Sequence, residues 1–128
     1  MAESLIVHFA TATQRDVSDW LNRISARTKG NWAFPSNGEY LVLAYEYNDY
    51  LSEFEPDDLE RLCRLLGGLP TVGLCLEIRR SKGRAAHDHA VELAKKLLSD
   101  FAGVVQDIRG EEYWSLSDLV DGAAERSA

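Results

Sequence analysis

From residue 71 to residue 79 the chain reads Thr-Val-Gly-Leu-Cys-Leu-Glu-Ile-Arg, so Val72, Leu74, Leu76 and Ile78 alternate with Gly73, Cys75, Glu77 and Arg79. A period of two belongs to a strand with one face toward a core. Residues 40–47 repeat it: Leu41, Leu43, Tyr45 and Tyr47 share one face, and Val42, Ala44 and Glu46 share the other. Residues 5–10, rich in strand formers, predict a buried first strand, and residues 104–109 predict a fourth.

Between these runs the period lengthens to that of a helix. Thr13 with Asp16 three residues on makes a capping box, and Val17, Trp20, Leu21 and Ile24 then fall on one helical face, with Gly30 as the expected stop. Pro56 suits a first helical turn, where its missing N–H costs nothing, and Asp57 and Asp58 complement the helix dipole there. Leu59, Leu62, Cys63 and Leu66 form that helix's apolar stripe, and Gly67-Gly68 end it. A long helix over residues 85–102 is expected to bury Ala86, Ala90, Leu93, Ala94, Leu97, Leu98 and Phe101, with Gly103 as its cap. Ser115 and Asp118 are placed to cap a last short helix through Val120. "NWAFPSNG" reads as a loop, "EEYWSLSDL" as an aromatic lid under the terminal helix, and residues 121–128 as a frayed tail.

These elements predict a single domain over residues 1–128. The fold expected is α+β, a ferredoxin-like sandwich: an about four-stranded sheet with helices packed mainly on one face and a helical insert between strands two and three. Strand two would lie at the sheet edge. A three-layer α/β arrangement is the alternative, because a helix follows almost every strand.

Charge narrows the function classes. The chain carries 14 Lys and Arg against 21 Asp and Glu, a net charge of −7. Nucleic acid and anionic membranes demand a basic face, so the balance argues against both and favours basic partners. Cys63 and Cys75, each in an apolar run, read as reduced core thiols, and two cysteines fall short of a structural zinc site. No cofactor and no metal are expected. The first ten residues lack the basic start of a secretory signal, and no segment approaches the ~20 apolar residues of a membrane span, so a cytoplasmic protein is expected.

Motifs for catalysis are sparse. His87, Asp88 and His89 suggest metal or acid–base work, but positions i and i+2 on a helix point about 200° apart, so the pair reads as a solvated helix start. "RRSKGR" at residues 79–84 precedes a helix as a phosphate site would, yet lacks phosphate-loop spacing and reads as an exposed basic loop. No nucleophile elbow is present.

The acidic segment is the strongest signal. From Gly30 to Glu60 there is no Lys or Arg, while Glu39, Glu46, Asp49, Glu53, Glu55, Asp57, Asp58 and Glu60 accumulate beside Tyr40, Tyr45, Tyr47 and Tyr50. Carboxylates around tyrosine anchors suit a complex with a Lys- and Arg-rich partner: charge speeds encounter and the aromatic rings slow escape. On charge and aromatic content the nominated partner-binding residues are Glu46, Tyr47, Asp49, Tyr50, Glu53, Glu55, Asp57 and Asp58.

From Tyr40 to Val120 the layout resembles a known group. "GGLP" leads into a strand ending "EIRR", a long Ala/Leu helix follows, then "FAGVVQD" and "YWSLSDL". This order is similar to that of small bacterial immunity-type proteins encoded beside polymorphic or contact-dependent toxins. The resemblance covers about two thirds of the chain and includes no catalytic motif. It implies a cytoplasmic, non-enzymatic protein, monomer or homodimer, that binds a cognate basic toxin domain and blocks it. The rival expectations are a small-molecule-binding regulatory module of ferredoxin-like fold and a small enzyme using His8, His87 or His89.

Overall fold

Strand β1 (Ser4–Phe9) sits in the middle of the sheet rather than at its start, and every residue from Leu5 to Phe9 is buried. A strand apolar on both faces needs cover on both, and the chain supplies it. The computed structural model describes residues 4–35, 37–47, 50–107 and 112–122, with Tyr50, Leu51 and Arg80 in backbone only. Among these residues the chain runs β1, α1 (Gln14–Asn22), β2 (Arg27–Thr28), β3 (Asn31–Phe34), β4 (Val42–Glu46), α2 (Pro56–Leu66), β5 (Val72–Ile78), α3 (Gly83–Asp100), β6 (Gly103–Asp107), β7 (Glu112–Trp114) and α4 (Leu116–Val120). The seven strands form one sheet in the order β2-β3-β4-β5-β1-β6-β7, and every neighbouring pair is antiparallel.

The fold is therefore α+β, but it is not the four-stranded ferredoxin-like sandwich that the pattern predicts. Three short strands make the difference. Lys29 (φ 54°) and Gly30 (φ 85°) both take the left-handed conformation that a two-residue hairpin needs, and they join β2 to β3. Gly30 is thus a hairpin turn and not the stop of α1, which ends eight residues earlier at Asn22. The segment expected to be a loop pairs with β4, Trp32 opposite Ala44 and Phe34 opposite Val42, and buries both rings. β4 consequently has neighbours on both sides and is no edge strand. At the far end β7 adds to β6, with Trp114 opposite Val105, so the expected aromatic lid is a strand with its indole in the core.

Register sorts the side chains into two faces. Leu5, Val7, Phe9, Val42, Ala44, Leu74, Leu76, Ile78, Val105 and Trp114 share one core with Val17, Trp20 and Leu21 of α1, the α3 stripe from Ala86 to Leu98, and Leu119 of α4. The opposite face carries the row Tyr45, Cys75, Ile6, Gln106 and Tyr113, paired in register across the sheet, with His8 two residues along β1 on the same face. α2 packs on this second face: Leu62 is fully buried outside the main core, and Arg61 lies 5.0 Å over the Tyr113 ring. The helix inserted between β4 and β5 thus caps the face that the other three leave open.

Both predicted capping boxes form, Thr13 with Asp16 and Ser115 with Asp118. Gly103, expected to cap α3, instead begins β6, where an added Cβ would lie 2.3 Å from the His8 backbone oxygen. The α1 end is tied to the hairpin by polar bonds: Trp32 Nε1 donates to Asn22 Oδ1 (2.8 Å) and Ser25 Oγ to the Ala33 carbonyl (2.8 Å).

Candidate functional site

α2 covers only part of the second face. Over β3, β4 and β5 that face holds Ala33, Leu43, Tyr45 and Tyr47, all half-buried, and Glu77, which is exposed near the end of β5 although strands flank it on both sides. A strand position that points to solvent from a sheet interior marks an uncovered surface. Tyr45 is held there by a hydrogen bond with Cys75, which together with burial raises its phenol pKa. Burial likewise pushes the Cys75 thiol up. Tyr47 donates its hydroxyl hydrogen bond to Glu53, and this, ahead of burial, pushes its pKa up to about 12. Both phenols keep their protons at neutral pH.

The carboxylates then divide by partner. Glu46 points the other way, toward α1. Its side chain is 10% exposed, lies 3.4 Å from Arg27, and accepts from Gln14 Nε2 (2.5 Å) and Ser18 Oγ (3.0 Å). Arg27 is itself stacked 4.5 Å over the Trp32 ring. Glu39 pairs with Lys82 (3.7 Å) and Glu60 with Arg64 (3.6 Å). Glu55, Asp57 and Asp58 are exposed at the start of α2, and among the described residues no cation lies within ion-pair reach of them. Arg61, one turn beyond Asp57, is committed to Tyr113 instead.

Of the nominated residues, the structure places Tyr47 and Glu53 in direct contact, with Glu55, Asp57 and Asp58 following along the chain on the same approach to α2. Glu46 sits on the opposite side of its strand. Asp49 and the side chain of Tyr50 lie outside the described residues. Composition alone did not single out Tyr45, Leu43 and Glu77. Their signal was the alternation in residues 40–47, which puts Leu43, Tyr45 and Tyr47 on one face, and that in residues 71–79, which puts Glu77 opposite the apolar face of its strand.

The histidines do not converge. His8 is buried on the α2 side, where Nε2 meets Gln106 Oε1 at 2.9 Å and the ring stands edge-on to Phe54 at 5.8 Å. Burial lowers its pKa to about 4. His87 is buried on α3, across the sheet, and among the described residues neither of its ring nitrogens has a hydrogen-bond partner. This corrects the solvated helix start expected for it: α3 begins at Gly83, so His87 lies past the first turn, on the buried stripe it shares with Ala90, Val91, Ala94 and Leu98. His89 is half-buried at 6.5 Å from the Phe34 ring. No group of His, Cys, Asp and Glu able to hold a metal occurs among the described residues.

The "RRSKGR" cations are largely engaged: Arg79 Nη1 donates to the Tyr40 carbonyl (3.3 Å) and Arg84 pairs with Asp88 (3.4 Å). Among the described residues no helix is long and apolar enough to cross a membrane. Compared with protein-family models, curated proteins and solved structures, the chain has no match, so the layout of its surface carries the functional reading.

Proposed function

We propose that this chain is a non-enzymatic, immunity-type protein of the cytoplasm that binds and blocks a basic protein domain through its acidic, tyrosine-bearing face. One observation supports this most: among the described residues the carboxylates divide into neutralised and free sets, and the free set, Glu55, Asp57 and Asp58, adjoins the half-buried phenols through the Tyr47–Glu53 contact. Uncompensated like charge destabilises a fold, so a dense free set calls for a compensating partner. Tyr45 and Tyr47 supply rigid amphipathic anchors with few rotamers to freeze. Leu65 near the other end of α2 and Leu69 just beyond it, 50% and 66% exposed, add apolar area of the kind a complex covers.

The partner is a Lys- and Arg-rich domain, in the first instance a toxin domain encoded beside this chain. The test is titration calorimetry with that domain, purified in inactive form. The triple variant Glu53→Lys, Glu55→Lys, Asp58→Lys is expected to weaken binding by at least about a hundredfold, since each removed charge pair is worth ~1–3 kcal/mol at an interface. Its circular dichroism should match the parent, because all three side chains are exposed. Binding undiminished by the reversals would rule out this face.

A further inference from the structure

On the opposite side of the molecule, a groove of about 470 Å³ opens between α1, α3 and the end of β3, within the size range of small-molecule sites. Its walls are Trp20, Phe34 and Leu93, each under a tenth exposed, and Ile24, which stays 51% exposed although the helical pattern places it on the buried face. The Trp20 ring is fixed in position, because its Nε1 donates to Asp100 Oδ2 at 2.5 Å. That bond also engages the Asp100 carboxylate.

The rim carries His89, Glu92 and Lys96. Glu92 is paired with Lys95 at 3.2 Å. Among the described residues no carboxylate lies within ion-pair reach of Lys96, and its charge is close enough to His89 to act with burial in lowering the imidazole pKa. The mouth of an apolar, aromatic groove therefore holds one unspent cation beside a neutral imidazole. The carboxylates nearest this point, Glu92 on the rim and Asp100 behind Trp20, are engaged by Lys95 and by the indole N–H.

We infer that the groove binds a small organic carboxylate with an aromatic or branched apolar body, the body against Trp20, Phe34, Ile24 and Leu93 and the carboxylate at Lys96 and His89. Trp20 and Phe34 give the groove aromatic walls for such a body, and covering Ile24 removes apolar surface from water. A charge-assisted bond from Lys96 selects the anion over a neutral analogue of the same shape.

Amide and indole N–H spectra of the full chain, titrated with 3-phenylpropionate, 3-phenylpropanol and 3-phenylpropylamine, test this. The carboxylate is expected to shift the Trp20 indole and the 92–96 amides in a saturable way. The alcohol and the amine should bind at least about fivefold more weakly, and Lys96→Glu should weaken the carboxylate about tenfold, since a charged hydrogen bond is at stake. Lys96 is exposed, so the variant keeps its fold, which the same spectra verify. Ile24→Ser should also weaken binding, through the body rather than the charge. The inference is overturned if the carboxylate fails to bind at millimolar concentration, if it shifts residues away from the groove, if the alcohol or amine binds as well, or if Lys96→Glu changes nothing. The charge reversals at Glu53, Glu55 and Asp58 lie on the other face and should leave the titration unchanged, which separates this site from the protein-binding surface.

Discussion

Single residues carry two opposed histidine problems. His8 is neutral in the fold, with a pKa lowered to about 4 from 6.5 chiefly by burial. Above pH 6.5 both folded and unfolded chains hold it neutral and stability is complete. Between 6.5 and 4 the unfolded chain takes the proton and the folded one refuses it, so stability falls with pH. The loss reaches about 3 kcal/mol by pH 4. Urea unfolding across that range should show the decline, and His8→Asn should blunt it; an equal slope in the variant would contradict the assignment. His87 shows the other case, a buried ring with both nitrogens unpartnered among the described residues. Exchanging such a group for an apolar one of similar size removes a desolvation cost, so His87→Leu is expected to raise unfolding stability by about 1 kcal/mol. The sequence reading took His87 as solvated from its place in an expected first turn, whereas its spacing from Ala90, Val91 and Ala94 puts it on the buried face of α3.

At the scale of elements, the long and strongly periodic ones were legible. The β5 alternation, the stripes of α2 and α3, and both capping boxes follow from residue order alone. The two-, four- and three-residue strands β2, β3 and β7 were not, because local composition at Asn31 and Pro35 favours a loop. Pairing to a distant partner overrides that preference. Gly103 illustrates the same limit. Position suggested a helix cap, whereas its small size serves the close approach of β6 to β1. Gly103→Ala should force those strands apart and cost about 2–3 kcal/mol in thermal or urea unfolding, as overpacking does. A cost near zero would mean that the two strands yield more easily than their packing indicates.

For the whole molecule, the division of labour between the sheet faces organises everything else. One face is sealed by α1, α3 and α4 and forms the core. The other is half covered by α2, leaving the β3–β5 surface open beside the acidic start of that helix. The acidic run itself was evident in the sequence, but its division was not. Which carboxylate meets Arg27, Lys82 or Arg64 depends on contacts between segments distant in the chain or on rotamer choice, and Glu46 and Tyr47, adjacent in sequence, leave β4 on opposite sides. A surface of this kind predicts association that slows as salt rises from about 0.05 to 0.5 M, with dissociation changing much less.

The most direct measurement is the affinity of the neighbouring-gene basic domain for the parent chain and for the Glu53→Lys, Glu55→Lys, Asp58→Lys variant, side by side at one ionic strength. Tight binding by the parent, a loss of about a hundredfold or more in the variant, and matching far-UV circular dichroism with cooperative unfolding of both are expected. Equal affinities in the two proteins would contradict the proposed binding face.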